Sequence, residues 1–267
     1  MISSTAARVG GRLRRHSGLV VLVLALGLLG TMYAAFAPAS RADDKTTAAS
    51  AQDVREGQQL FEGGCITCHG RNAQGVPDRG PSLVGVGAAS VEFQVATGRM
   101  PMARNEAQAV RKPRLYDNEQ TRKLAAYIES IGGGPQLPSG ELRSTEKQAI
   151  AEGGRLFRLN CSSCHAFGMG GGALSSGKFA PSLKPSTDRE IYAAMLTGPQ
   201  NMPVFGDNQL TPDEKKSIIS YIQAQKGDQD PGGSGIGRTG PVPEGLVVFL
   251  VGIVGLLIAT LWIAGKS

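Results

Sequence analysis

Cys65-Ile66-Thr67-Cys68-His69 and Cys161-Ser162-Ser163-Cys164-His165 each set two cysteines three positions apart, with a histidine directly after the second. That spacing is the attachment pattern of a c-type haem. Each sulfur closes a thioether on a porphyrin vinyl group, and the histidine falls beneath the iron. Two copies predict two covalently bound haem c groups. Cys65, Cys68, Cys161 and Cys164 are then the attachment residues, and His69 and His165 the proximal iron ligands. Cys-x-x-Cys also occurs in redox dithiols and as half of a zinc site. The first needs a βαβ context, which the sequence lacks. The second leaves the trailing histidines and a repeated Met-Pro pair without a role.

The distal side of each iron needs a different ligand. The chain has three histidines: His69, His165 and His16. His16 precedes an apolar segment and is expected on the other side of a membrane. All four cysteines belong to the motifs, so none remains for a disulfide. The sixth ligand is then methionine, another side chain or nothing, and five methionines are candidates: Met100, Met102, Met169, Met195 and Met202. Met169 follows His165 by four residues, too close to reach the opposite face of the same porphyrin. Met195 keeps helical spacing with Ile191 and Tyr192 and reads as core. Met100 and Met202 each follow a Thr-Gly turn and precede proline, where a loop can carry a thioether across the ring. They lie 35 and 41 residues after the first cysteine of their copies. The extra length of copy two is expected partly in Gly168-Met169-Gly170-Gly171-Gly172. Met102 is the alternative to Met100. Histidine–methionine ligation favours ferrous iron and raises the reduction potential. With both axial positions filled, the iron exchanges electrons and performs no bond chemistry.

The elements that hold these residues come in two copies. Glu56-Gly57-Gln58-Gln59-Leu60-Phe61 matches Glu152-Gly153-Gly154-Arg155-Leu156-Phe157. Pro81-Ser82-Leu83 matches Pro181-Ser182-Leu183, and Thr97-Gly98 matches Thr197-Gly198. Each copy closes with an apolar-periodic helix containing Tyr127 or Tyr221. Two copies are too few for a solenoid and predict two similar globular domains, 53–131 and 144–225. Segments 38–52, 132–143 and 226–245 read as linkers. Gly57 and Gly153 are expected to let the first and last helices of a domain cross closely, with Phe61 on Tyr127 and Phe157 on Tyr221. Pro81 and Pro181 are placed to offer a carbonyl to the free N–H of the proximal histidine. Domains of about 80 residues bury a modest share of their surface. With 5% aromatic residues in the chain, the haem plane must supply much of each core.

Two runs of nineteen apolar residues flank the pair, 19–37 and 246–264, each long enough to span a bilayer. Arg8, Arg12, Arg14 and Arg15 precede the first run, which predicts a cytoplasmic N-terminus at 1–18. The run reads as a retained anchor, with a cleaved signal peptide ending near Ala35-Phe36-Ala37 as the alternative. Lys266 marks a cytoplasmic tail at 265–267. These five cations account for most of the net charge of +6. The outer region is near neutral, which argues against a nucleic-acid surface.

The order of anchor, two c-type segments and anchor resembles the cytochrome c subunit of the actinobacterial menaquinol–cytochrome c reductase, a cytochrome bc complex. The resemblance covers essentially the whole chain. It implies an all-α architecture of two tandem cytochrome c domains flanked by transmembrane helices, with the haem domains on the outer face of the cell membrane. It implies Cys65, Cys68, Cys161 and Cys164 as haem attachments, His69 and His165 as proximal ligands, and Met100 and Met202 as distal ligands. It also implies a cytochrome b subunit, a Rieske iron–sulfur subunit and a cytochrome c oxidase as partners. The chain would relay electrons from the Rieske protein to the oxidase, as the electron-transfer subunit of a quinol–cytochrome c reductase. Alternatives are a di-haem subunit of another membrane dehydrogenase or oxidase, and a di-haem peroxidase. The paired Met-Pro loops argue against the peroxidase, which needs an open iron position.

Overall fold

The computed structural model describes residue 18 and residues 20–32, 49–227 and 241–266. Readings that fall on 1–17, 19, 33–48, 228–240 and 267 lie outside the described residues. These include the possible cleavage site and most of the first and third linkers.

Among the described residues helix α1 runs Val20–Met32, apolar and exposed, and over that range is shorter than a full span. In the first half, α2 (Ala51–Gly64) starts at a capping box in which Ser50 and Asp53 satisfy each other's backbone N–H. It is followed by the single turn α3 (Ile66–His69), α4 (Gly87–Ala96) and α5 (Asn118–Gly132). Asp117 and Gln120 form the same box at the start of α5. The second half repeats this order with α6 (Lys147–Asn160), α7 (Ser162–His165), α8 (Asp188–Thr197) and α9 (Pro212–Gly227). A small hairpin of β1 (Gly172–Ala173) and β2 (Phe179–Ala180) interrupts it, paired antiparallel.

The paired crossings are built as the repeat suggests. α2 packs on α5 and α6 on α9. A Cβ at Gly57 would collide with the Lys123 carbonyl and come within 2.9 Å of Tyr127 Cβ. A Cβ at Gly153 would collide with the Ser217 carbonyl and come within 3.0 Å of the Ile218 nitrogen. Close approach lets the aromatic pairs meet beside each crossing. The ring centroids of Phe61 and Tyr127 are 5.3 Å apart, and those of Phe157 and Tyr221 are 5.5 Å apart. Phe61 and Phe157 are fully buried, each worth about 1.5–3 kcal/mol of apolar burial.

Three features differ from the sequence expectation. Matching positions run 96 apart through Gly75 and Gly171, 100 apart at Pro81 and Pro181, and 102 apart at Met100 and Met202. The extra residues therefore enter at the β1–β2 hairpin and between Gly198 and Met202, not in 168–172. Met169 instead takes the place of Ala73: both have left-handed backbone, φ 58° and 57°, and both are buried. Second, the segment between the halves is packed chain. Leu137 and Leu142 are buried in the second half's core, and the Pro135 carbonyl accepts from the Ala89 N–H at 3.0 Å.

Third, the halves share a seam. α4 packs on α8, and Ala89 and Phe93 of α4 belong to the second core. Arg189 binds Glu92, Arg111 binds Glu190, and the Gln200 Nε2 donates to the Ala109 carbonyl at 3.0 Å. Gln108 bonds both backbone groups of Phe179, its Nε2 donating at 2.6 Å and its Oε1 accepting at 3.0 Å.

Helix α10, Pro241–Ala264, starts five residues before the apolar run. It is long and apolar enough to cross a membrane, and its large apolar side chains from Val242 onward are exposed. At its end the Lys266 ammonium lies 4.0 Å from the Trp262 ring centroid, a cation–π pair suited to a membrane interface.

Candidate haem-binding site

Each Cys-x-x-Cys-His segment is one tight turn entered from a longer helix. The Cys65 N–H donates to the Phe61 carbonyl at 2.8 Å, and the His69 N–H to the Cys65 carbonyl at 3.0 Å. The second copy has the same bonds, Cys161 to Phe157 at 2.8 Å and His165 to Cys161 at 2.9 Å. Positive φ at Gly70 and Ala166, 77° and 59°, then ends the turn after the histidine. Gly75 and Gly171 hold φ 86° and 87°. At Gly75 a Cβ would lie 2.7 Å from the Ser82 nitrogen, so glycine lets the returning strand pass.

That return delivers the two prolines. The Nδ1 of His69 lies 2.8 Å from the Pro81 carbonyl, and the Nδ1 of His165 lies 3.0 Å from the Pro181 carbonyl. A carbonyl oxygen only accepts, so Nδ1 carries the proton and Nε2 keeps its lone pair for a metal. The contact expected from sequence is present in both copies. Burial holds the His165 imidazole below its ordinary pKa, which favours the neutral, metal-ligating form.

The first thiol of each pair is held in its neutral form. Burial, then the neighbouring Cys68, pushes Cys65 up to about 11. Burial, then Cys164, pushes Cys161 up to about 12. Neither environment stabilises the thiolate that a reactive redox dithiol uses. The described residues also bring together no group of three His, Cys, Asp or Glu side chains that could hold a metal ion.

In the second half, Cys161, Cys164, His165 and Met202 line one cavity of ≈ 250 Å³. Its walls include Leu183, Ile191, Phe205, Ile218 and Ile222. Met195 is buried in α8 and forms part of the wall. Met202 hangs from the loop after α8, where its N–H donates to the Pro199 carbonyl at 3.1 Å. In the first half, Met100 packs on the core together with Cys65 and Leu83. Its N–H donates to the Gln94 carbonyl at 2.9 Å. Met102 is half-buried and is not among the residues packed on that core.

These residues fit a covalently attached porphyrin. Apolar walls suit the macrocycle, sulfurs the vinyl groups, and an imidazole with a free Nε2 the iron. Cationic side chains suit the carboxylates, and the cavity has them: Arg99, Arg111 and Lys178. Arg99, Gln108 and Arg111 come from the first half and are absent from the sequence reading. The available signal was that Met100 and Met202 differ in what separates them from their Thr-Gly turns: Arg99 in one copy, Pro199-Gln200-Asn201 in the other.

The family described as Cytochrome c matches residues 54–132, and the family described as Cytochrome C oxidase, cbb3-type, subunit III matches residues 148–222. The chain is thus a mostly helical protein with cytochrome c domains, which imply covalently bound haem c. It is 46% identical to the cytochrome bc1 complex cytochrome c subunit of Corynebacterium diphtheriae, over 100% of both chains. The same subunit from Mycobacterium bovis is 46% identical over 99% of this chain and 96% of the relative. That from Corynebacterium efficiens is 48% identical over 99% and 95%. The chain belongs to the family of cytochrome bc1 complex cytochrome c subunits.

Proposed function

We propose that this chain carries two haem c groups in tandem cytochrome c domains and relays electrons between them. It serves as the electron-transfer subunit of a menaquinol-oxidising cytochrome bc complex. Cys65 and Cys68 hold one haem, with His69 proximal and Met100 distal. Cys161 and Cys164 hold the other, with His165 proximal and Met202 distal. Iron in each haem supplies the one-electron chemistry. The protein orients each imidazole through a proline carbonyl, excludes water with apolar walls, and fills the distal side with sulfur.

The observation that carries this reading is the duplicated proximal arrangement. Two histidines, each following a Cys-x-x-Cys pair, present the same nitrogen to a proline carbonyl at 2.8 Å and 3.0 Å. The packed seam between the halves suits a relay, because it would hold the two haems at a fixed separation. Residues 246–264 within α10, and the apolar run 19–37, anchor the chain with its haem domains on the outer face. By analogy with the family's place in a bc1 complex, electrons enter from a Rieske protein beside a cytochrome b subunit and leave to a cytochrome c oxidase.

Affinity purification of the full-length chain from its native membrane tests the assignment. Cytochrome b and a Rieske protein should co-purify, with menaquinol oxidation reducing the chain's haems. A preparation that holds a dehydrogenase instead, or whose haems stay oxidised during menaquinol turnover, contradicts it.

A further inference from the structure

The cavity around the second Cys-x-x-Cys-His is closed on one side by the first half of the chain. Phe93, Arg99, Gln108 and Arg111 line it opposite residues of the second motif's own half. Arg99 is only 6% exposed. Its guanidinium lies over the Phe93 ring, 4.7 Å from the centroid. Its Nη1 is buried and has no hydrogen-bond partner.

The other cations at the cavity are engaged. The Arg111 Nη2 donates to Glu190 Oε2 at 2.5 Å. The Lys178 ammonium donates to Asn201 Oδ1 at 3.0 Å. Two guanidinium groups thus sit near one carboxylate, Glu190. A buried cation with a bare donor is stable only beside a matching anion. The planar guanidinium fork is the group that best fits a carboxylate.

We infer that Arg99, assisted by Arg111, binds a propionate carboxylate of the haem attached at Cys161 and Cys164. The loop after α4 in the first half thereby completes the haem site of the second. This rests on the two-haem reading. It explains why Arg99 has no counterpart in the other copy: the contact is made once, across the seam, and is not part of the repeat. It also gives Gln108 and the Arg111–Glu190 pair a common purpose, since they fix that loop against β2 and α8.

The test uses the full-length protein in its purified complex, as wild type, R99Q and R99K. A pyridine haemochrome count comes first, because two haems per chain secure the underlying reading independently of Arg99. Potentiometric titration then gives the midpoint of each haem, with the second identified as the one that moves in M202H. Removing a buried positive charge favours ferric iron. R99Q should shift the second haem's equilibrium about tenfold, 59 mV for one electron, toward the ferric form. R99K should shift it by less than half as much, and the first haem should move less than the second. Unchanged midpoints in R99Q overturn the inference, as does a shift confined to the first haem through the adjacent Met100. If R99Q is recovered without its second haem, R99K decides. Full haem content with a near-native midpoint supports the carboxylate contact, and loss of the haem from R99K as well shows a packing role and overturns it.

Discussion

Arg189 grips Glu92 through both carboxylate oxygens, with Nη2 at 2.7 and 2.8 Å and Nε at 3.1 Å, joining side chains that are 97 residues apart. The pair lies on the seam between α4 and α8. Glu92 is mostly shielded and Arg189 about half exposed. A double-mutant cycle with E92A and R189A should give a coupling of about 1 kcal/mol at low salt, near the top of the range for solvent-facing pairs. It should shrink as ionic strength rises. Unfolding of the holoprotein, followed by circular dichroism in the Soret region, measures it. A coupling near zero at low salt would show that the seam is held by its other contacts, Ala89 and Phe93 among them, without this pair.

Met202 and Met195 make opposite predictions although both border the same cavity. Met202→His should lower one haem midpoint by on the order of 0.1 V, within the span of about 0.8 V that axial ligands command. Quinol-to-oxygen electron flow should slow with it. Met195→Leu conserves volume in the core and should leave both midpoints in place, at a stability cost under about 1.5 kcal/mol. Redox titration of the two variants side by side separates ligand from wall.

Two glycines of α2 should respond with opposite sign. Gly57→Ala drives a methyl group into the Lys123 carbonyl and should destabilise the holoprotein by about 1–3 kcal/mol. Gly63 has open space at its Cβ position. Gly63→Ala should therefore stabilise α2 by about 0.5–1 kcal/mol. Chemical denaturation of the two variants checks the pair. Equal effects would mean that the α2–α5 crossing has room for a methyl group at Gly57.

The first half should be acid-sensitive through the start of α2. The capping bond from Ser50, then Arg122, holds Asp53 below its ordinary value of 3.8. Lys123, then Gln52, holds Glu56 below 4.5. Depressed carboxylates stabilise the fold above their unfolded values, and the effect is lost as pH falls through the folded ones. The denaturant midpoint should thus fall below about pH 4. In D53N it should start lower and fall less. A D53N profile parallel to wild type would remove Asp53 from the account.

Much of the site was legible because its signals are local or doubled. The haem pattern is five residues long. The Gly57 and Gly153 crossings, the Phe–Tyr pairs and the proline carbonyls each appear twice at matched positions, and the structure has all of them. The seam was not legible, because it joins unrepeated side chains far apart in sequence, such as Gln108 with Phe179, 71 residues away. Composition also misled. The glycines of 168–172 look like an inserted loop but continue the turn made in copy one at Asn72-Ala73-Gln74-Gly75. The Gly-Pro segment 132–143 looks like a free tether, yet buries Leu137 and Leu142.

The central claim is a pair of covalently attached haems in one membrane-tethered chain, and their number is its most direct test. Alkaline pyridine haemochrome spectra of the purified full-length chain, set against its concentration by amino-acid analysis, should give two haem c per polypeptide. They should give one each in a Cys65→Ala/Cys68→Ala and a Cys161→Ala/Cys164→Ala protein. A wild-type value of one or none would contradict the account.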